Sequence, residues 1–497
     1  MINKSKYCGF CQCPKSVWLK NNKSEEFVSD QSVIERVSNS NEICDMQRGY
    51  FGDYIDVTEC VTEYDISLLV SKTTELIDAG TKVICRGSFL YDDAYCTVDI
   101  LRKEDKGYSI YKSKSSTTPN HHSYIVEISY QKYILEKCGI DVVSTNVINV
   151  NTGYTFSGEL DTNQLFKVTN VDELVAEEIV NVEDNISKLK EILEMTTEPN
   201  IELNTGCHSP YPCGFWKYCT KGLPTPSVFD LYGTSIQKKI EYYSKNIVTF
   251  EDIRNSGEDL GFIQNMQVEH TLNNSPTYID TKGVKEFIDK LWYPIYFLDF
   301  ETTQPALPQY KRSRPYQPIP FQYSLHYIEE KGGKVKHKEY IANPNKDPRR
   351  QIAKRLCRDI PGDACVLAFN KFFERGRIID LAKLYPMYRD KLNVIAYNIK
   401  DLIDPFNAGY VYNKDMGNSM SIKSILPALY PNDPSLNYDN LVGVQNGNEA
   451  MMIYPKMNTM SHRERRQTKK SLLEYCKLDT LAMVKIYEYL LSAVQDI

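Results

Sequence analysis

In the stretch IYFLDFETTQP, residues 295–305, a run of apolar residues ends on two acids, Asp299 and Glu301. Side chains alternate across a strand, so both carboxylates point to one face with Phe300 opposite. Two like charges side by side are costly unless a cation lies between them. Further acids stand where they suit the same purpose. In VLAFNKFFERGRIIDLAKLYP (366–386) an apolar strand runs to Asn370, and Glu374 falls in the first turn of the next helix. In LLEYCKLDTLAMVKIYEYL (472–490) Tyr475 and Asp479 are four residues apart and share one face of an amphipathic helix. Leu472, Leu473, Cys476, Ala482 and Met483 mark that helix as packed, which makes an acid on it unusual. Hard cations take oxygen ligands, and two Mg²⁺ or Mn²⁺ ions roughly 3.5–4 Å apart can hold the attacking and leaving oxygens of a phosphodiester. Asp299, Glu301, Glu374 and Asp479 are the candidate ligands, with Tyr475 to position water and Asn370 to contact substrate or hold the second segment. Asp401 or Asp404, in KDLIDPF, are alternatives to Glu374, although an ordinary strand-end turn explains that pair equally well.

These residues need a sheet and helices to hold them. From about 291 the pattern alternates: strand 295–301, strand around FQYSLHYIEE, helix 349–358, strand ACVLAFN, helix from 373 and a final long helix from about 466. Such alternation predicts an α/β domain with a central sheet over 291–497. Residues 223–290 read as a helical linker, since SIQKKIEYYSKN, TFEDIRNSG and DTKGVKEFIDKLW have helical spacing and a Thr or Asp placed to cap. Residues 1–222 mix strand and helix patterns and end in a cysteine cluster followed by the punctuation TKGLPTPS. A chain of 497 residues is too long for one ordinary domain. Its composition, 42% hydrophobic and 25% charged, is that of a soluble globular protein. The net charge of −6 leaves any nucleic-acid binding to local patches such as RRQIAKRLCR (349–358) and SHRERRQTKK (461–470), and a charge run is ordinarily a solvated helix face. No run of about 18 apolar residues occurs, and the N-terminus lacks the apolar core of a signal peptide. A cytoplasmic protein without a membrane partner is expected. In that reducing compartment the 14 cysteines should be thiols rather than disulfides.

Some of those thiols are too regularly spaced for packing alone. GCHSPYPCGFWKYC (206–219) sets Cys207, Cys213 and Cys219 with five residues between each pair, around Pro210, Pro212 and Gly214, which mark a tight loop. Zinc sites more often space ligands by two to four residues, so a fourth thiolate decides the matter. CQCPKSVWL, at 11–19, offers Cys13, with Cys8 and Cys11 near.

The three acidic segments, taken in order, resemble the DEDD exonuclease superfamily of the ribonuclease H-like fold, whose pattern runs acid-x-acid, N-x-x-x-acid, Y-x-x-x-D. The match falls on Asp299 and Glu301, on Asn370 and Glu374, and on Tyr475 and Asp479. That family carries Asp in its second segment; here stands Glu374, which reaches further. Cys13 with the C-x5-C-x5-C trio resembles the iron–sulfur RecB-like nucleases, among them the CRISPR-associated RecB-like exonucleases and the AddB-type helicase–nucleases. This second resemblance implies a PD-(D/E)XK restriction-endonuclease-like domain and a [4Fe–4S] cluster on Cys13, Cys207, Cys213 and Cys219, a zinc knuckle using Cys8 and Cys11 being the alternative. It also implies a metal site on a hairpin. In AYCTVDILRKEDKGYSIYKSKSST (94–117) that places Asp99 on one strand and Lys114 on the next, with Lys112 where the family has Glu. An Asp facing a Lys forms a salt bridge and excludes the cation. Arg86 stands where an upstream acid is expected, Glu127 is placed to replace the lost Glu, and Gln131 fits the family's helix glutamine. A first domain without catalysis is expected, with Lys112 and Lys114 contacting phosphate.

CPKSVWL, LWYPIYFLDFETT and YCKLDT, in this order, are similar to an uncharacterised bacterial family of RecB-like nucleases fused to a C-terminal domain of unknown function. The resemblance implies a metal-dependent nuclease of repair or defence, a 3′–5′ exonuclease on DNA ahead of RNA, with Mg²⁺ or Mn²⁺ at the C-terminal site. The competing expectation is a non-catalytic nucleic-acid-binding or assembly platform built on two degraded nuclease folds.

Overall fold

The computed structural model describes residues 1–28, 41–63 and 65–495. It is a mixed α/β protein in two units, Met1–Leu223 with Pro305–Tyr316, and Pro224–Gln304 with Gln317–Ile497. The helical stretch at 223–290 therefore falls almost entirely in the second unit, and a short segment following the acidic strand falls in the first.

The first unit is built on a seven-stranded sheet. Its strands are β1 (Ile2–Asn3), β2 (Ile55–Asp56), β3 (Val83–Tyr91), β4 (Ala94–Glu104), β5 (Gly107–Ser113), β6 (Val142–Val150) and β7 (Phe166–Asn170). They lie in the order β2-β3-β4-β5-β6-β7, with β1 parallel to β4. β3, β4 and β5 form an antiparallel meander because two tight turns separate them, Asp92-Asp93 and Asp105-Lys106. Asp92 sits at φ 52°, a conformation that Asp tolerates better than most residues. β5 and β6 are parallel and need a crossover, which the helix His122–Lys137 supplies. That helix lies against the sheet: the Tyr130 hydroxyl donates to Ile2 O at 2.8 Å and Gln131 Nε2 to Thr97 O at 2.6 Å. The segment Pro305–Tyr316 belongs here by its packing. Ala306, Leu307 and Tyr316 cover the cluster of Val83, Ile100, Tyr111 and Ile148, and Phe156 N–H donates to Ser313 O at 2.9 Å while Arg312 N–H donates to Phe156 O at 2.7 Å.

In the second unit, helices Ile236–Ser244, Phe250–Ser256, Phe262–Leu272 and Thr281–Ile288 fill the stretch read as helical. Two start where a cap was legible: Thr249 and Asp252 bond reciprocally, and Asp280 accepts from Lys282 N–H and Gly283 N–H. β8 (Tyr278–Ile279) pairs with β14 (Val411–Tyr412). The main sheet comprises β9 (Ile295–Thr303), β10 (Ile319–Ile328), β11 (Lys336–Ile341), β12 (Cys365–Ala368) and β13 (Ile399–Asp401), ordered β11-β10-β9-β12-β13. β10 runs antiparallel to both neighbours, while β12 is parallel to β9 and β13.

β9 is central and apolar on both faces, as a strand covered on both sides must be. Ile295 and Phe297 join the cluster with Leu472, Leu478 and Ala482 of the helix His462–Gln495. Tyr296, Leu298 and Phe300 join the opposite cluster, with Ile352 and Leu356 of Arg349–Asp359 and Ile378 and Leu381 of Lys371–Leu384. Each fully buried side chain of this kind stabilises the fold by roughly 1.5–3 kcal/mol before entropy is counted. The twofold alternation then sets Asp299 and Glu301 on the face of the long helix. Opposite them the β9–β10 register shifts between Pro320 and Gln322, an irregularity of the sort that re-aims side chains beside functional sites. No helix among the described residues is long and apolar enough to cross a membrane.

Candidate metal centre

β9 delivers Asp299 and Glu301, the helix Lys371–Leu384 delivers Glu374, and the helix His462–Gln495 delivers Tyr475 and Asp479. Asp299, Glu301, Tyr475 and Asp479 line one cavity of about 440 Å³ with Phe373 and Lys423. Burial raises the Asp299 pKa well above the usual carboxylate range, and Asp479, Glu301 and Glu374 raise it further. Glu301 is raised by burial and by Asp479, against the opposing charge of Lys423. Glu374, only 3% exposed, is pushed up to about 8 by burial and Asp401, and its Oε2 has no hydrogen-bond partner. Asp479 is pushed up to about 6 by burial, relieved by hydrogen bonds from Tyr438 and Tyr475 and by Lys423. None of the four acids has an ion-pair partner among the described residues. Ligand atoms of Asp299, Glu301 and Cys476 all lie within 4.8 Å of one another.

Two residues of this cavity escape a reading of the sequence. The Tyr438 hydroxyl donates to Asp479 Oδ1 at 2.6 Å, and nothing in PSLNYDN announces it. Lys423 Nζ stands 4.7 Å and 5.1 Å from the ring centroids of Tyr438 and Tyr475 and donates to Gln445 O at 2.8 Å. A signal for Lys423 did exist: it is the one charged residue in the apolar helix Ile422–Leu429.

Asp401 and Asp404 do not replace Glu374. The Asp401 carboxylate accepts the N–H groups of Asn370 and Lys371, both at 2.9 Å, and so fixes the start of the helix that carries Glu374. Asp404 is more than half exposed and faces Lys371 at 3.8 Å. Asn370 has an exposed side chain and takes the left-handed conformation, φ 74°. It thus holds the second segment through its backbone, a conformation Asn tolerates.

Residues 296–421 match the family model described as a domain of unknown function, DUF2779. The DUF2779 stretch takes in Asp299, Glu301, Asn370 and Glu374, and it ends before Lys423, Tyr438, Tyr475 and Asp479. No curated protein and no solved structure matches the chain.

The hairpin of the first unit is arranged otherwise. Lys112 Nζ lies 2.8 Å from Asp99 Oδ2 and 2.5 Å from Glu127 Oε1, while Lys114 and Lys4 reach Glu127 at 2.8 Å and 2.5 Å. Burial opposes the Lys112 charge, yet Asp99 and Glu127 outweigh it and raise its pKa; burial likewise opposes the Glu127 charge, and the lysines hold that carboxylate well below its ordinary value. Glu127 is therefore occupied by ammonium groups and does not stand in for a lost cation ligand. The expectation that Lys112 contacts phosphate is also corrected, because it is 3% exposed and held by two acids. Gln131 is fully buried and braces β4 through its bond to Thr97 O. Arg86 forms a close pair with Asp56, whose carboxylate is almost wholly buried.

Cys13, Cys207, Cys213 and Cys219 share one neighbourhood. Gln12 Nε2 ties the N-terminal helix to the loop by donating to Gly206 O at 2.9 Å and Tyr211 O at 2.7 Å, and Cys213 N–H donates to Cys207 O at 2.8 Å. Burial raises the Cys13 thiol pKa, and Cys207 and Cys213 raise it further. Cys219 is pushed up to about 11 by burial, with Lys15 opposing and the other three thiols adding. The four do not form a group within 4.8 Å, whereas sulfurs about a single zinc stand roughly 3.8 Å apart. Cys8 lies beside Glu127 and Cys11 beside Tyr7.

Proposed function

We propose that the second unit hydrolyses phosphodiester bonds at a nucleic-acid end, with divalent cations held by Asp299, Glu301, Glu374 and Asp479. One observation carries the reading: half-buried Asp299 and buried Glu301 and Asp479 line one cavity, buried Glu374 acts electrostatically on Asp299 and Glu301, and no cation among the described residues is paired to any of the four. Buried charge of this kind costs several kcal/mol per group unless it is compensated, and oxygen donors with a free carboxylate oxygen at Glu374 fit hard divalent ions. A bound pair of such ions would supply Lewis-acid stabilisation of the attacking and leaving oxygens. Tyr438 fixes one oxygen of Asp479, Tyr475 presents a phenol where an attacking water can be oriented, and Lys423 offers positive charge to a phosphate oxygen. The strand order, 3-2-1-4-5 by appearance with the second strand antiparallel, supports the ribonuclease H-like resemblance.

In the same reading the first unit is a PD-(D/E)XK-like scaffold without catalysis, supported by the lysine that sits between Asp99 and Glu127. Cys13, Cys207, Cys213 and Cys219 would hold a [4Fe–4S] cluster pinning the N-terminal helices to the 206–219 loop. The test is an assay on anaerobically purified protein with end-labelled single- and double-stranded DNA and RNA in Mn²⁺. Digestion from an end is expected, lost in Asp299→Ala and kept in Lys114→Ala. Binding without cleavage in any divalent metal would overturn the hydrolase in favour of a binding platform.

A further inference from the structure

We propose that Cys476 is a sulfur ligand of the metal centre, so that the position shared with Asp299 and Glu301 accepts a thiophilic divalent ion of the Zn²⁺ class. This rests on the metal centre of the reading above and not on hydrolysis. Cys476 is fully buried on the long helix, one residue after Tyr475, and its thiol donates a hydrogen bond to Asp299 Oδ2 at 3.4 Å, where a metal ion would replace the proton. An oxygen–sulfur edge of a tetrahedral zinc shell, with Zn–O near 2.1 Å and Zn–S near 2.3 Å, spans about 3.6 Å. The thiol therefore already stands at a ligand's distance from the carboxylate. A cysteine kept only for packing needs no such neighbours, and most buried cysteines sit among apolar side chains. A second observation points the same way. Glu374, on the neighbouring helix, is 3% exposed and its Oε2 has no hydrogen-bond partner, so a further buried oxygen donor stands unsatisfied.

The chemistry separates the ions. Mg²⁺ takes oxygen ligands in strict octahedral geometry, whereas Zn²⁺ accepts sulfur beside oxygen and binds a given site more tightly than Mn²⁺. Ligation replaces the S–H bond by a metal–sulfur bond and releases the thiol proton to solvent. Zn²⁺ is thus expected to occupy the centre in competition with Mg²⁺ or Mn²⁺.

Co²⁺, whose thiolate complexes absorb in the near ultraviolet, reads the sulfur directly. Titrated into the full chain, it should give a charge-transfer band larger in the wild type than in Cys476→Ala. The same part of the band should vanish in Asp299→Asn, which keeps the sulfur and so answers the question even where the alanine variant fails to fold. Competition for the site should show Zn²⁺ affinity falling about tenfold or more in Cys476→Ala while Mn²⁺ affinity is nearly unchanged. Identical cobalt spectra and zinc affinities in wild type and both variants would overturn the proposal. A band dependent on Cys476 and Asp299 in a protein that cleaves nothing would uphold it and sink the hydrolase. Mn²⁺-dependent cleavage without that band would do the reverse.

Discussion

Asp99 and Glu127 in the first unit share Lys112, and Glu127 takes Lys4 and Lys114 as well, so two acids answer to three ammonium groups. Asp299, Glu301, Glu374 and Asp479 in the second unit are as deeply set and answer to none, with Lys423 near but unpaired to them. The residue types are alike and so is the burial. What differs is the compensating charge: in the first unit the chain supplies it, whereas in the second no cation among the described residues is paired to the acids, which is what the proposed metal ions would answer. An internally compensated cluster acts as structure, and removing one partner strands the others. Acids left uncompensated cost stability in the free protein, a cost tolerated at sites whose ligand relieves it.

This contrast is broken most directly at Asp299. Asp299→Ala should lose about a thousandfold in cleavage rate or more, equivalent to ~4 kcal/mol of transition-state stabilisation, while Asp99→Ala should leave the rate nearly unchanged; initial rates on end-labelled DNA in Mn²⁺ decide it. On stability the order reverses. Lys112→Met should destabilise the first unit by about 3 kcal/mol, the low end for a broken buried pair because Lys4 and Lys114 remain, and urea denaturation should show it. Lys423→Met sharpens the picture within the second unit. Loss of its charge from the cavity should lower kcat about tenfold with little change in melting temperature.

A smaller effect concerns two histidines of the same sheet. His326 and His337 are pushed down to about 3 and about 4, mainly by burial, with His337 and Lys477 adding at His326 and Lys477 at His337. Both are therefore neutral in the folded protein, packed with Ser324, Thr480 and Glu339 around them. Below the ordinary histidine value of 6.5 these two side chains bind more protons in the unfolded chain than in the folded one, so their contribution to stability should fall as pH drops from 6.5 towards 4, against the opposite contribution of the raised carboxylates. The melting temperature of the wild type relative to His337→Gln should fall across that window.

Much of the second centre is legible because it obeys local periods. Asp299 and Glu301 follow from twofold alternation in a strand otherwise apolar, Tyr475 and Asp479 from a four-residue helical step, and Glu374 from its place just inside a helix start. Tyr438 is not legible, since it reaches Asp479 through tertiary packing of an aperiodic stretch. Asp401 looks like a strand-end turn residue and is the last residue of β13, yet its carboxylate accepts the N–H groups of Asn370 and Lys371 and so holds the start of the helix that carries Glu374. In the first unit Asp99 and Lys112 announce their pairing by type and register, but the addition of Lys4 depends on β1 joining the sheet beside β4, which a two-residue strand does not reveal. The placement of Pro305–Tyr316 was equally hidden: ALPQYKRSRPYQ reads as a proline-punctuated loop, and neither its composition nor its spacing tells which core receives Leu307 and Tyr316.

That segment has a genetic consequence. Because Pro305–Tyr316 belongs to the first unit while the chain on either side belongs to the second, no single stop codon or protease cut separates the two units whole. A gene truncated after Leu223 would encode a first unit with Val83, Ile100, Tyr111 and Ile148 deprived of part of their cover, and the missing piece would be stranded on the other product.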